Sequence, residues 1–287
     1  MSPYKSFAVV GAGQIGLPIV GALAALNVSV IVLSRPGSSA KPVPAGVEII
    51  QVDYDDAAAV SAVFKRHRVD VVLSTVNSAG VGSQKSLADA GKRAGAQLFV
   101  PSEYAAPTDG QPEGSDNPVG GTGAKNKIAK YLRTVNLPSV RIFTGPFIES
   151  IPWLVGYLDH GKVRIVGKGE VPVSFTSIAD IAGFVAYVLT NLPPSKLENR
   201  ILRLEGERIR MNDLGVLFKT SVEHVDRIPG EAGEAKTGLL KLLDSGAGST
   251  GWDEAHKRER SGGEAAGSAN SLWPGHRWKG IKEVLDL

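Results

Sequence analysis

SFAVVGAGQIG, residues 6–16, joins a short β-branched run to three closely spaced glycines. Gly11 would allow a tight turn after a strand, Gly13 would let the backbone approach a pyrophosphate, and Gly16 would let the next helix pack on the sheet. The start of that helix would offer unsatisfied N–H groups to phosphates. This context predicts a dinucleotide-binding turn, and a purely structural turn is the alternative. The residues predicted to contact the dinucleotide are Gly11, Gly13, Gln14, Ile15 and Gly16.

The first half of the chain alternates short apolar runs with helical stretches, which is typical of a parallel sheet flanked by helices. We therefore predict an α/β fold built on a Rossmann-type, doubly wound parallel sheet. The predicted strands are Ser6–Val10, Val28–Leu33, Val47–Val52, Val69–Thr75, Gln97–Val100 and Ser139–Phe143. The predicted helices are Gln14–Leu26, Asp55–His67, Gln84–Ala94 and Ala124–Asn136. Residues 101–118 are rich in Pro, Gly, Asp and Asn and are predicted to form a functional loop.

The end of the second predicted strand distinguishes NAD from NADP. An NAD-preferring fold places an acidic residue there to accept hydrogen bonds from the ribose. This chain has Ser34 and Arg35 instead, and no acid follows until Glu48. A guanidinium suits a 2′-phosphate, so we predict NADP(H) as the cofactor. A solvated surface arginine is the alternative for Arg35, and Lys41 is a weaker candidate for a second positive charge.

The pattern changes in the second half of the chain. Two short runs, Val163–Val166 and Val171–Phe175, flank a Gly-Lys-Gly-Glu turn and predict a hairpin, and Ser177 is a plausible cap for a helix to Leu189. We predict an NADP-binding Rossmann domain over 1–150 and a smaller, intertwined α+β substrate-binding lobe over 151–287. A flexible glycine-rich loop is expected at about 245–270.

Composition narrows the functional classes. The chain has no cysteine, which excludes disulfides and thiol catalysis. Its 32 basic and 29 acidic residues give a net charge of only +3, so no direct nucleic-acid binding is expected. No apolar run approaches the roughly 20 residues that span a bilayer, and the N-terminus does not look like a signal peptide. We therefore expect a cytoplasmic protein without membrane association. The five histidines show no metal-ligand spacing, so no metal is expected.

Several further segments carry a family resemblance by their collinear order. They are VVGAGQIG (9–16), LSRP (33–36), DVVLSTVNSAG (70–80), VPSEY (100–104), KNKIAKYLR (125–133), RIFTGPFIE (141–149) and VSFTSIADIAGFVAYVLT (173–190). Over about 1–220 the chain resembles the NmrA-like family of atypical short-chain dehydrogenases, which includes the isoflavone and phenylpropanoid reductases. Its tail looks like fungal members of the group.

In the reductases of this family, a lysine before a helical Ile-Arg-Arg-x-Ile segment contacts the nicotinamide ribose and acts as general acid or base. The resemblance places it at Lys125, although the residues that follow depart from the reductase pattern. Lys127 and Lys130 are interpreted as surface residues, and a solvated helix face is the alternative for Lys125 as well. Conventional short-chain dehydrogenases carry a tyrosine four residues before the lysine. Here that position is Gly121, which argues against the usual sugar epimerase chemistry.

Ligands of this fold lie beyond the carboxyl ends of the strands, which gives further candidates for cofactor binding. Asn77 follows the fourth predicted strand and would line the adenosine half. By the resemblance, the segment after the fifth strand lies near the nicotinamide; capping a helix or pairing with a lysine is an alternative for its Glu103. Trp153 and Tyr157 are candidates for a substrate pocket or for core. The strand-end candidates are Asn77, Pro101, Ser102, Glu103, Thr144 and Phe147.

These features together predict an NADP(H)-dependent oxidoreductase of the isoflavone reductase-like type. It would transfer a hydride to a small aromatic or conjugated substrate, with Lys125 handling the proton. The alternative is a non-catalytic redox sensor of the NmrA type, which would bind NAD(P) and interact with a transcription factor. The diverged residues around Lys125 favour the sensor, and the lysine itself favours the enzyme.

Overall fold

The computed structural model describes residues 4–39, 42–111 and 122–287. Lys41 and Gly121, and the predicted loop beyond residue 111, lie outside the described residues. Contacts within the chain define two units whose segments interleave along the sequence. Unit 1 comprises 1–102, 123–142 and 181–201, and unit 2 comprises 103–122, 143–180 and 202–287.

Unit 1 is built on a five-stranded parallel sheet in the order β3-β2-β1-β4-β5. The first strand leads into a central position, and the chain winds outwards to each side in turn, so the predicted Rossmann-type α/β fold is confirmed. The strands are β1 (Ser6–Val10), β2 (Ser29–Ser34), β3 (Glu48–Gln51), β4 (Val71–Ser74) and β5 (Leu98–Val100). The helices between them are α1 (Gly16–Ala24), α2 (Ala57–Arg66) and α3 (Gln84–Ala94).

The central strands are buried on both faces, which explains their apolar sequences. Every residue of β1 and β4 is buried. Helix α2 begins where the carboxylate of Asp56 accepts hydrogen bonds from the N–H groups of Ala58 (3.0 Å) and Ala59 (2.9 Å). Helix α3 ends at Gly95, whose φ of 86° is a left-handed conformation that glycine adopts without strain. These helices therefore begin and end at signals present in the local sequence.

Parts of several later elements extend this unit. The N–H of Phe99 donates to the carbonyl of Pro138 (2.9 Å), which carries the chain from β5 to the next strand. The elements here are α4 (Thr122–Thr134), β6 (Val140–Phe143), α7 (Ile178–Asn191) and β9 (Arg200–Arg203), and β6 pairs with β9. Ser177 caps α7 as predicted, because its hydroxyl accepts a hydrogen bond from the Asp180 N–H (3.0 Å).

Unit 2 combines short helices with paired strands around its own apolar core, which includes Ile148, Ile151, Val173 and Phe175. Its helices are α5 (Ile151–Leu154), α6 (Tyr157–His160), α8 (Leu214–Leu217), α9 (Gly233–Leu242) and α10 (Ile281–Leu285). Its strands are β7 (Val163–Ile165), β8 (Pro172–Phe175), β10 (Glu207–Arg210), β11 (Val222–His224), β12 (Trp252–Asp253) and β13 (Arg258–Glu259).

The hairpin predicted from the Gly-Lys-Gly-Glu turn is wrong. Strand β7 pairs with β11 in parallel, and β8 pairs with β10 antiparallel. A residue distant in the sequence stabilises the turn: the carboxylate of Asp244 accepts hydrogen bonds from the N–H groups of Lys168 (3.0 Å) and Gly169 (2.8 Å). Those amides are therefore bound to a distant side chain, and the flanking strands find distant partners.

The glycine-rich segment 245–270 contains the antiparallel pair β12–β13, and Ser249 and Thr250 within it are buried. Its flexibility stays a prediction. None of the helices in the described parts of the chain is long and apolar enough to span a membrane.

Candidate functional site

The glycine turn lies at the carboxyl edge of the sheet of unit 1, between β1 and α1. Gly11 has a φ of 99° and donates its N–H to the carbonyl of Leu33 (2.9 Å). A Cβ on Gly16 would lie 2.2 Å from the carbonyl oxygen of Gly11. No real side chain fits so close to backbone, so Gly16 is required for the helix to pack against the turn.

Thr75 is a member of this turn that the sequence did not reveal. Its hydroxyl shares a donated hydrogen bond between the carbonyls of Gly11 (2.8 Å) and Val10 (3.0 Å). Its N–H also donates to Val10 (3.0 Å). A β-branched residue at the end of a strand carries no signal for this role, because its partners are 64 and 65 positions away in the sequence.

Gly13 differs from its two neighbours because it faces open space. It is exposed, and a Cβ at this position would meet no described atom within 4 Å. Gln14 beside it is exposed as well, and Ile15 is buried. The N-cap residue of α1, Ile15, makes no side-chain hydrogen bond to the helix start, and the first turn holds no acidic residue. The turn therefore offers exposed backbone and an uncapped helix start, which is the chemistry that binds phosphate.

The end of β2 carries the two residues predicted to select the cofactor. Arg35 is exposed. Ser34 is half-buried, and its Oγ is buried without a hydrogen-bond partner in the ranges that the structure describes. A buried hydroxyl without a partner is rare in a folded protein, so this atom suits a ligand that supplies one. An arginine and a serine at this place fit a phosphorylated ribose.

The segments after β4 and β5 are joined by a buried glutamine. The side-chain oxygen of Gln84 accepts a hydrogen bond from the N–H of Ser102 (2.8 Å), and the Ser102 hydroxyl donates to the carbonyl of Val76 (2.8 Å). Asn77 is exposed, and its side-chain oxygen accepts from the N–H of Gly80 (3.2 Å) at the start of a short 3₁₀ helix. Pro101 is buried next to Ser102. Gln84 was missed because its helical context in the sequence gives no hint of an inward side chain.

Lys125 lies in the first turn of α4 and is half-buried. Ile128 and Leu132 of the same helix are buried, at 7% and 0% exposure, so they form its inward face. Lys127 and Lys130 are exposed, in agreement with their interpretation as surface residues. Lys125 is therefore the most enclosed of the three lysines.

Three of the strand-end candidates belong to unit 2. Glu103 is buried and accepts a hydrogen bond from the Thr108 hydroxyl (2.9 Å). Thr144 is also buried, and its N–H donates to the carbonyl of Ala105 (3.1 Å). Phe147 is half-buried at the start of a 3₁₀ turn. Glu103 and Thr144 are thus both held in a bonded framework at the base of the loop that follows β5.

The two aromatic candidates for a substrate pocket have different surroundings. The ring of Tyr157 packs on that of Phe218 with centroids 4.6 Å apart, beside the core of unit 2. Trp153 is 37% exposed, and the ammonium of Lys236 lies 5.3 Å from its ring centroid. Within the described ranges, no group of three or more His, Asp or Glu side chains could hold a metal ion.

The model of the NmrA-like family matches residues 3–229. The chain belongs to the NmrA-like family. Among curated relatives of this NmrA-like protein, the oxidoreductase aprR of Aspergillus flavus is 33% identical and aligns over 72% of this chain and 70% of its own. The phenylcoumaran benzylic ether reductase IRL1 of Ginkgo biloba is 27% identical, over 75% of this chain and 74% of its own. The family resemblance inferred from the sequence is therefore confirmed.

Solved structures agree on the fold of this NmrA-like protein. The leucoanthocyanidin reductase of Vitis vinifera, in its binary complex with NADPH, superposes with a TM-score of 0.78. The two sequences are 18% identical, and the match covers 98% of each chain. The likeness therefore extends over the Rossmann-type sheet and the following elements alike.

Proposed function

We propose that this NmrA-like protein is an NADP(H)-dependent reductase that transfers a hydride to a small aromatic or conjugated substrate. The observation that carries the proposal is the set of groups at the carboxyl edge of the sheet. Gly13 and the start of α1 fit a pyrophosphate, and Arg35 with Ser34, whose hydroxyl has no partner among the described residues, fits a 2′-phosphate. Relatives that are named oxidoreductases and reductases support the enzyme over the sensor.

In the proposed reaction the protein holds the dinucleotide and controls a proton. The bound nicotinamide would supply or accept the hydride. The N–H groups of the glycine turn would bind the pyrophosphate, and the Arg35 guanidinium would neutralise the 2′-phosphate. Asn77 would contact the adenosine half, and Pro101, Ser102, Glu103, Thr144 and Phe147 are proposed to line the nicotinamide half.

Lys125 is proposed as the catalytic proton donor or acceptor. Its Nζ would exchange a proton with the substrate as hydride transfer changes the charge on the reacting atoms. Its position on the well-packed helix α4 suits this role, because the rigid inward face of Ile128 and Leu132 fixes the backbone from which the lysine extends. Exposed Lys127 and Lys130 lack that enclosure.

The substrate class rests on the relatives. Their names include a phenylcoumaran benzylic ether reductase, which acts on an aromatic ether, and this supports a small aromatic substrate here. A possible protein partner belongs to the sensor alternative only. Both relatives named above are named for oxidoreductase activity.

Parallel calorimetric titrations with NADPH, NADP⁺ and NADH test the proposal. We expect NADPH to bind much more tightly than NADH, because only NADPH carries the 2′-phosphate. Binding of NADP⁺ in clear preference to NADPH would favour the redox sensor. Absence of binding to all three dinucleotides would contradict the proposed function.

A further inference from the structure

The carbonyl oxygen of Leu33 joins three segments of unit 1. It accepts the N–H of Gly11 at 2.9 Å and the hydroxyl of Tyr54 at 2.8 Å. Gly11 opens the glycine turn, Leu33 lies one residue before the end of β2, and Tyr54 follows β3. A carbonyl oxygen has two lone pairs, so the two donors together satisfy it.

Ser34, the next residue, is tied on its other side. Its carbonyl accepts the N–H of Val52 at 2.9 Å, from the same segment that carries Tyr54. Arg35 follows directly, and its carbonyl accepts the N–H of Ser38 at 3.1 Å in a turn. The backbone that carries the proposed phosphate ligands is therefore fixed by bonds immediately before and after Ser34.

Tyr54 is suited to act as a permanent donor. The residue is 6% exposed and belongs to the apolar cluster that also contains Leu33, Val60 and Phe64. Burial raises the pKa of Tyr54 to about 12, while the charge of Arg35 acts in the opposite direction. The phenol thus stays protonated at neutral pH, and the guanidinium of Arg35 lies within electrostatic range of it.

We infer that Tyr54 is a positioning residue for cofactor selection, whose hydroxyl holds the end of β2 so that Ser34 and Arg35 meet the 2′-phosphate. This rests on the proposed function. Without the hydroxyl, Leu33 keeps its bond to Gly11, so the glycine turn and the pyrophosphate site stay in place. Ser34 keeps its bond to Val52, but the Leu33 carbonyl directly before it loses one of its two donors, so the end of β2 that carries Ser34 and Arg35 is held less firmly. NADPH depends on that segment and NADH does not, so the preference between them falls.

The test compares Tyr54→Phe with the unchanged protein by calorimetric titration with NADPH and NADH. Loss of one neutral hydrogen bond predicts roughly two- to tenfold weaker NADPH binding, with little change for NADH. Tyr131→Phe is the matched control in the same unit, since its hydroxyl donates to the Asp89 carboxylate instead. Both dissociation constants should be unchanged in that control, and circular dichroism checks that each variant is folded.

A double-mutant cycle with Arg35→Ala separates positioning from general structure. If Tyr54 acts through this segment, Tyr54→Phe should weaken NADPH binding far less when Arg35 is already replaced. Equal losses for NADPH and NADH, or no loss for either, would overturn the inference while the proposed function stands. If the unchanged protein binds neither dinucleotide, the proposed function and the inference both fail.

Discussion

The hydroxyl of Thr75 occupies space that a side chain on Gly16 would need. A Cβ at position 16 would lie 2.5 Å from Thr75 Oγ1, in addition to its 2.2 Å approach to the Gly11 carbonyl. The same hydroxyl donates to the Gly11 carbonyl. Thr75 therefore stabilises the turn and at the same time restricts the first residue of α1 to glycine.

Replacing Gly16 and Gly13 by alanine should have different consequences. Gly16→Ala should destabilise the fold by roughly 1–3 kcal/mol or more, because the turn has to open to admit the methyl group. Gly13→Ala should leave the stability nearly unchanged, since its Cβ would meet no described atom. It should weaken NADPH binding roughly tenfold or more, because the methyl group would meet the pyrophosphate. Urea denaturation and calorimetry measure the two effects.

Gly21→Ala is the matched control for both variants, because Gly21 lies inside α1 and its Cβ would also be in open space. It should stabilise the protein by roughly 0.5–1 kcal/mol, the usual gain at a helix interior, and leave cofactor binding unchanged. Normal NADPH affinity in Gly13→Ala would show that the pyrophosphate does not approach this glycine.

Arg35→Glu should weaken NADPH binding by roughly 10–100-fold, the value of a charge-assisted hydrogen bond and more. NADH binding should change little, because NADH lacks the phosphate that Arg35 is proposed to contact. Arg66→Glu, which reverses the charge of an exposed side chain in the last turn of α2, is the control and should leave the binding of both dinucleotides unchanged. Equal losses for NADPH and NADH in Arg35→Glu would remove Arg35 from the phosphate site.

Lys125→Ala should reduce turnover of a reducible substrate by roughly 10²–10⁴-fold, the usual contribution of a positioned acid or base. Cofactor binding should be largely retained, since the glycine turn and Arg35 supply most of it. Lys127→Ala is the control, because Lys127 is an exposed lysine two positions after Lys125 on the same helix. Single-turnover kinetics with preloaded NADPH would follow the chemical step, and an unimpaired Lys125→Ala would place the proton donor elsewhere.

Arg203 should be a large contributor to stability. It is 2% exposed, donates to Asp109 (2.6 Å) and to the Thr250 carbonyl (2.7 Å), and lies over the ring of Phe143. Arg203→Met should lower the free energy of unfolding by about 3–5 kcal/mol, because the Asp109 carboxylate loses the positive charge that it is paired with. Chemical denaturation measures the loss.

Arg200→Met, on the same strand but exposed, should change stability by less than about 0.5 kcal/mol. The double variant Arg203→Met, Asp109→Leu should recover part of the loss, because it removes the uncompensated charge. If the double variant is instead less stable than Arg203→Met, removing the Asp109 charge has recovered nothing. The loss of stability in Arg203→Met would then not come from the broken ion pair.

Glu149 should make the protein less stable as the pH rises through the acid range. Its carboxylate accepts the Ile178 N–H at the start of α7, yet burial, assisted by Asp180, raises its pKa above the ordinary 4.5. The folded state then binds this proton more tightly than the unfolded state, so its stabilisation is complete below pH 4.5 and is lost as the pH passes the raised folded pKa.

Glu149→Gln removes that titration and keeps an oxygen acceptor for Ile178. The difference in unfolding free energy between this variant and the unchanged protein should therefore move in favour of the variant from about pH 4 to about pH 7. A pH-independent difference for Glu149→Gln would contradict the raised pKa.

Elements with local signals could be predicted from the sequence. Strand β1 and helix α3 have the bounds that were expected, because β-branched residues and a terminal glycine act on their immediate neighbours. The rule that ligands lie at the ends of parallel strands identified Asn77 and Ser102 as candidates, and the missing acid at the end of β2 identified Ser34. The glycine turn needed only its own eleven-residue stretch to be recognised.

Contacts between distant parts of the sequence could not be predicted. The hairpin prediction was wrong because β7 pairs with β11 and β8 pairs with β10, and these partner strands begin 35 or more positions further along the chain. Thr75 belongs to the site through a bond to Val10, 65 positions away, and Gln84 through a bond to Ser102, 18 positions away. The partner of a polar side chain becomes apparent only in the folded structure, because neither composition nor periodicity of a single sequence identifies it.

The interleaving of the two units has a consequence during protein synthesis. The five strands of the sheet have all been synthesised by residue 100. Unit 1 also includes residues 181–201, and Phe184, Val185 and Val188 of that segment are buried. At roughly 5–20 residues per second, unit 1 waits roughly 5–20 s for its last segment. During that interval a ribosome-bound chain lacks the part of unit 1 in which these apolar residues are buried, so nascent-chain chaperones are expected to meet this protein before unit 1 is complete.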